Sequence, residues 1–193
     1  MILLQVPDII NGFSRTEYLS VFLGFLYAAV ASEFLINWAK FLRMRMHVLK
    51  NAEQISWSLL LFCFLLINWY SVWPRMQFVA NSFKDFVFTL VPIMLYYFLV
   101  VLVFTEEGEV AEQKKNFEKN SRLILLLLCG YTFLQLGYDI VMLGESPFSG
   151  VNLIRFAVVI SGFFAFIKNT PVRRWIVFGI GFISMVRIWI AIK

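Results

Sequence analysis

Long apolar runs separated by short polar segments make up most of the chain. A helix needs about 20 mostly apolar residues to cross a bilayer. Six segments meet or approach this length, namely residues 17–39, 55–73, 85–105, 122–143, 150–168 and 172–192. The pattern predicts an all-α fold, a polytopic integral membrane protein built as a six-helix transmembrane bundle with short loops. We expect residues 1–193 to form a single domain within the lipid bilayer.

The composition agrees with lipid as the main solvent of this chain. Hydrophobic residues make up 61% of the sequence and charged residues 15%, whereas soluble domains have about 45–50% and about 25%. The net charge of +5 does not indicate nucleic-acid binding, because the basic residues are spread over short connecting segments instead of forming one face.

The distribution of Lys and Arg predicts the orientation, because cytoplasmic loops carry an excess of both residues. Eleven lie in or beside one set of alternating connections: Lys40, Arg43, Arg45, Lys50, Lys114, Lys115, Lys119, Arg122, Lys168, Arg173 and Arg174. Four lie on the other side: Arg15, Arg75, Lys84 and Lys193. We therefore expect both termini to face away from the cytoplasm, in a plasma membrane or a bacterial inner membrane.

The longest polar segment, residues 105–122, begins with acidic residues and ends with basic ones. It is predicted to be a charged cytoplasmic loop, or a short helix with Glu and Lys one turn apart. Together with the basic segment 40–50, it is the surface that a cytoplasmic protein partner would contact.

Glu33 interrupts the first apolar segment. At helical spacing, Asn37 lies one turn further on the same face. Gly24, Ala28 and Ser32 form a neighbouring stripe of small residues, which permits close approach of two helices. We therefore expect Glu33 to lie at a helix–helix seam. Two interpretations remain open: a structural carboxylate bonded to a neighbouring helix, or an ion or proton site on a transport pathway.

A second group of polar residues lies near the opposite membrane surface. Asp139, Arg155 and Arg187 come from three different segments at the same predicted depth, which indicates an ion-paired cluster. Gln135 lies one turn before Asp139, and Asn68 of the second segment is at a similar level. The cluster is either a structural clamp between helices or a gate or anion site, since its net positive charge would favour an anion.

The sequence contains no pattern that predicts catalysis. Its one histidine, His47, excludes a multi-histidine metal site, and neither a glycine-rich phosphate loop nor a nucleophile with a base is present. We expect no enzyme activity, cofactor or catalytic residue. Two hypotheses follow: a homo-oligomeric ion channel or transporter, or a non-conducting anchor, sensor or scaffold subunit of a larger complex. A conduit requires a polar or wettable route between the two polar groups.

Overall fold

The computed structural model describes residues 9–10, 13–43, 52–73, 76, 82–104, 110–141 and 144–192. Within these ranges the fold is all-α, apart from a two-residue antiparallel pairing of Ile9–Ile10 with Phe13–Ser14. Among the described residues, six helices with defined bounds follow this pairing: α1 (Arg15–Arg43), α2 (Ala52–Val72), α3 (Phe83–Val103), α4 (Val110–Val141), α5 (Gly150–Ile167) and α6 (Pro171–Ile192).

Serine side chains begin three of these helices, α1, α3 and α5, and at α3 the Oγ of Ser82 accepts from the amide of Asp85 at 3.1 Å. The amide of Glu17 donates to Ser14 Oγ at 3.2 Å, and the amide of Ser14 donates to Glu17 Oε2 at 2.7 Å, which forms a capping box before α1. Ser149 begins α5, because its Oγ accepts from the amide of Asn152 at 3.3 Å. These serine caps accept hydrogen bonds from amides that have no partner within the first turn of the helix.

Five helices, α1 to α5, are long and apolar enough to cross a membrane, with Lys115–Val141 as the qualifying part of α4. This confirms the predicted class, a helical membrane protein. The remaining helix, α6, has 22 residues but includes Arg173, Arg174 and Arg187, and it is not among the five. Six membrane crossings therefore remain a prediction.

Helix α4 begins well before the apolar segment that predicted it. The sequence predicted a span at 122–143 and a charged segment at 105–122, but residues 110–122 are the first turns of α4 and continue without a break into its apolar part. Ala, Glu, Gln and Lys dominate this extension and have high helix propensity. Residues 105–109 lie outside the described ranges.

The helices pack as a closed bundle. α4 lies between α3 and α5, and α5 packs against α6. α6 packs against α2, and α2 also contacts α3, which closes the bundle. α1 packs on the outside of α2 and α3. Leu61, Leu99 and Val100 are fully buried at the centre. Many large apolar side chains lie exposed on the outer surface, among them Phe25 and Phe163. Lipid would cover such a surface without the cost that water imposes.

The seam of α1 differs from the one expected. Ala28 and Ser32 are exposed, and a methyl group built on Gly24 would meet no atom within 4 Å. The buried side chains of α1 are instead Leu23, Tyr27, Val30 and Phe34. Large side chains make this contact because the neighbouring helices leave room for them, so the small-residue stripe faces away from the bundle.

Close packing of α4 on α5 gives a prediction about stability. A methyl group built on Gly162 would lie 2.5 Å from Cys129 Sγ, so Gly162→Ala should lower the free energy of unfolding by about 1–3 kcal/mol through overpacking. The matched change Gly179→Ala meets no atom within 4 Å and should be neutral or stabilise by up to about 1 kcal/mol. Unfolding in detergent measures both, and equal effects would contradict the close contact.

Candidate functional site

Asp139 of α4 and Arg155 of α5 form an ion pair near residues 144–149, the α4–α5 end of the bundle. Arg155 Nη1 donates to Asp139 Oδ2, and Asp139 is only 2% exposed. The same Nη1 donates to Asn152 Oδ1 at 3.3 Å, while Asn152 Nδ2 donates to the carbonyl of Ser146 at 3.0 Å. The turn between the two helices therefore holds the guanidinium in a fixed position.

Arg187, the third charge of the expected cluster, does not join this ion pair. Its side chain is exposed, and its guanidinium packs near Gly150, where an added methyl group would lie 3.4 Å from Nη2. The rotation of α6 turns Arg187 away from the bundle interior and turns Ser184 toward it. The structure therefore contains a two-charge pair in place of the expected three-charge cluster.

A cavity of about 40 Å³ lies between α2, α4, α5 and α6 beside this ion pair. A water molecule needs about 10–15 Å³ of such space, so the cavity has room for roughly three. Its polar lining consists of Asn68, Ser71, Tyr131, Thr132, Gln135, Arg155 and Ser184. Three residues expected from the sequence to form a polar site, Asn68, Gln135 and Arg155, thus share one cavity, with Asp139 bonded to Arg155.

Two polar side chains of this cavity, Ser184 and Gln135, form no side-chain hydrogen bond with the residues that the structure describes. Ser184 is only 3% exposed. In contrast, Asn68 Nδ2 donates to the carbonyl of Phe64 at 2.8 Å and to the Tyr131 hydroxyl. Buried polar groups normally have hydrogen-bond partners. The Ser184 hydroxyl and the Gln135 carboxamide are therefore available to a molecule in the cavity.

Gln135 also lines a second, smaller cavity of about 20 Å³ between α1, α2, α3 and α4. Tyr27, Thr89 and Tyr138 supply the other polar groups of its lining. Because Gln135 borders both spaces, its side chain separates the two cavities. The polar interior at this level of the bundle therefore involves every helix from α1 to α6.

An aromatic contact between α2 and α6, called the constriction below, lies next to the larger cavity on the side away from the α4–α5 end, and its two rings are not part of the cavity lining. Trp57 of α2, which is 1% exposed, packs edge-on against Phe178 of α6 with 5.9 Å between the ring centroids. Trp57 precedes the lining residue Leu60 by one turn, and Phe178 follows the lining residue Val177. Trp57 Nε1 is buried and has no hydrogen-bond partner among the described residues.

A second ion pair lies one turn beyond the constriction, near residues 168–170, the α5–α6 end of the bundle. Arg174 Nε donates to Glu53 Oε1 at 2.5 Å, and Nη2 donates to Oε2 at 3.0 Å, a bidentate arrangement. Arg174 Nη1 also donates to Asn169 Oδ1 at 3.1 Å, and Asn169 Nδ2 donates to Ser121 Oγ at 2.5 Å. This network connects α2, α4 and α6.

This second pair is not among the predicted polar sites, because Arg174 was used only as a marker of orientation. A signal was nevertheless present. Glu53 and Arg174 both lie in the first turn of an apolar helix, and both helices begin on the same predicted side. The same criterion, opposite charges at one depth, predicts the cluster of Asp139 with Arg155 and Arg187.

Glu33 and Asn37 lie apart from both cavities, on α1. Asn37 Nδ2 donates to Glu33 Oε1 and to the carbonyl of Glu33, both at 2.8 Å. Glu33 is half-buried. Within the described ranges, no side chain of another helix bonds to its carboxylate, so the expected partner on a neighbouring helix is not found there. Glu33 and Asn37 therefore bond to each other within one helix.

No family model matches the sequence, and searches of curated proteins and of solved structures gave no match. Within the part of the chain that the structure describes, no group of three or more His, Cys, Asp or Glu side chains could hold a metal ion. A proposal about function therefore has to rest on the arrangement of residues between α2 and α6.

Proposed function

We propose that the protein transports a small polar solute or ion across the membrane, as a channel or a transporter with a route between α2 and α6. One observation carries the proposal: both helices present the same order of features, a polar cavity, an aromatic constriction and a buried ion pair. Charged residues inside a helical bundle are typical of transport pathways. Apolar constrictions close such pathways by excluding water.

The contact between α2 and α6 supports the gating part of this proposal. An added methyl group on Gly181 of α6 would lie 3.3 Å from Leu60 Cδ2 of α2. The two helices are therefore closely apposed next to the Trp57–Phe178 constriction. A small separation or rotation of α6 would part the two rings and join the cavity to the Glu53–Arg174 pair.

Orientation and assembly are further parts of the proposal. The excess of Lys and Arg supports a cytoplasmic α5–α6 end, with both termini on the other side of a plasma membrane or a bacterial inner membrane. The exposed stripe of Gly24, Ala28 and Ser32 on α1 supports a homo-oligomer, because small residues let helices of two copies approach closely. Glu33 and Asn37 would then lie near that contact.

Flux into proteoliposomes tests the proposed route. Trp57→Ala should raise the flux of small ions several-fold, because it removes most of one ring of the constriction and allows water to enter. Trp73→Ala is the matched control, since Trp73 is exposed and lies outside the cavity lining. Unchanged flux in Trp57→Ala protein that is folded and inserted normally would contradict the route.

A blocking experiment provides an independent measure should Trp57→Ala fold poorly. Ser184→Cys, made with Cys63 and Cys129 replaced by Ala, should lose flux after treatment with a small charged thiol reagent. Leu126→Cys in the same background should keep its flux, because Leu126 lies on the exposed outer face of α4. Equal sensitivity of the two variants would also contradict the route.

A non-conducting scaffold subunit is the second candidate function. It is favoured by the extension of α4, where Lys115, Glu118 and Lys119 are exposed ahead of most of the apolar part of the helix. Residues 105–122, together with 40–50, would then contact a cytoplasmic protein; residues 44–50 lie outside the described ranges. Flux no higher than that of empty vesicles, in both the unchanged protein and Trp57→Ala, would favour this function.

A further inference from the structure

We infer that the larger cavity is a binding site for a small monovalent anion of about the size of chloride. This inference rests on the proposed function only where it names the anion as the transported substrate. Binding of the anion at equilibrium requires no flux and can be tested separately. The inference follows from three properties of the lining: its charge, its free hydrogen-bonding groups and its volume.

The charged group that borders the cavity is a guanidinium. Arg155 is the one charged residue among the lining residues that the structure gives, and it is ion-paired with the buried carboxylate of Asp139. Its carboxylate partner, Asp139, is not a lining residue, and the ion pair therefore offers its guanidinium side to the cavity. Two further charges lie near this end of the bundle, Arg187 and Glu145, and both are exposed, where water screens them. The Asp139–Arg155 pair has no net charge, but the Asp139 carboxylate lies behind the guanidinium, so an ion in the cavity would face the guanidinium first.

The free polar groups of the lining can donate hydrogen bonds. The Ser184 hydroxyl and the Gln135 carboxamide each supply a donor that no described residue uses. The guanidinium of Arg155 has five N–H groups, and only Nη1 is engaged in the hydrogen bonds to Asp139 and Asn152. Donors of this kind bind an anion by charge-assisted hydrogen bonds.

The volume selects among anions. A cavity of about 40 Å³ holds roughly three water molecules, which is enough for one halide ion with one or two waters. An organic carboxylate or a sugar acid would not fit without expansion of the bundle. The site therefore favours a compact anion with a single charge.

Thermal unfolding of the purified protein in detergent, followed by tryptophan fluorescence, tests the inference. Titration with sodium chloride or sodium bromide should raise the unfolding temperature in a saturable manner. Sodium gluconate at equal ionic strength should not, because gluconate exceeds the cavity. Replacing sodium by potassium should change nothing. Equal stabilisation by chloride and gluconate would overturn the inference.

Two variants connect the effect to the cavity. Gln135→Glu keeps the size of the side chain but adds a negative charge beside the anion, and it should abolish the response to chloride. Ser184→Ala should weaken the apparent affinity about tenfold, the usual effect of losing one hydrogen bond to a charged group. Leu126→Ala on the exposed face of α4 is the control. An unchanged chloride response in a folded Gln135→Glu protein would overturn the site.

The outcomes separate this inference from the proposed function. A chloride response that depends on Gln135, without any flux in proteoliposomes, would support the anion site and overturn transport. Flux of cations or neutral solutes through the route, with no chloride response, would overturn the anion site and leave transport supported.

Discussion

Replacing Arg174 by methionine should lower the free energy of unfolding by about 3 kcal/mol. Arg174 is 4% exposed and binds both oxygens of Glu53. Its removal leaves the Glu53 carboxylate without its partner, and breaking a buried ion pair in this way costs about 3–5 kcal/mol. We expect the lower end of that range because the Glu53 side chain remains partly exposed. Unfolding in mixed detergent micelles, followed by tryptophan fluorescence, measures the change.

The neighbouring residue supplies a matched control for this prediction. Arg173→Met removes the same charge from the same helix end, but among the described residues Arg173 bonds only to the carbonyl of Phe164, at 2.9 Å. Its effect should be about 1 kcal/mol. Adding Glu53→Met to Arg174→Met should recover part of the larger loss, because no unpaired charge remains. Equal effects of Arg173→Met and Arg174→Met would show that the buried ion pair does not contribute to stability.

Asp139→Ala should destabilise the protein by about 3–5 kcal/mol, because Arg155 would keep its charge inside the bundle without a partner. Leu126→Ala, at an exposed apolar position of the same helix, should have a much smaller effect. The same unfolding measurement applies to both variants.

Double replacements identify which arginine is the partner of Asp139. Asp139→Ala combined with Arg155→Met should recover part of the lost stability, since both members of the pair are gone. Asp139→Ala combined with Arg187→Met should recover none, because Arg187 does not join the pair. Recovery with Arg187→Met instead would contradict the ion pair described above.

Most helix positions could be predicted from the sequence. The apolar segments 55–73 and 150–168 correspond to Ala52–Val72 and Gly150–Ile167, because a lipid-facing helix must be apolar along its whole length. The start of α4 could not be predicted in this way, since hydropathy detects only the part of a helix that is compatible with lipid. A polar helix that continues beyond the apolar part, as residues 110–121 do, gives no hydropathy signal.

The depth of the polar residues in the membrane could be predicted from the sequence, but the rotation of each helix about its own axis could not. The sequence pattern places Asp139 in one cluster with Arg155 and Arg187, because opposite charges at equal depth attract each other in an apolar medium, and in the structure Arg155 is the arginine that bonds to Asp139. Arg187 has the same depth, but the side of α6 that faces the bundle is decided by packing against α2 and α5, which the sequence pattern does not reveal. The same limitation explains the stripe of Gly24, Ala28 and Ser32. These residues share one face of α1, as their spacing predicted, but that face points away from the bundle.

The Glu53–Arg174 pair has a consequence for the synthesis of the protein, because its members are separated by 121 positions in the chain. At about 5–20 residues per second, roughly 6–24 seconds pass between the synthesis of Glu53 and that of Arg174. Throughout this interval, α2 carries an acidic group whose partner does not yet exist. Membrane proteases and insertion chaperones that detect unpaired charges would therefore encounter the nascent chain in a recognisable state, and the arrival of α6 would end it.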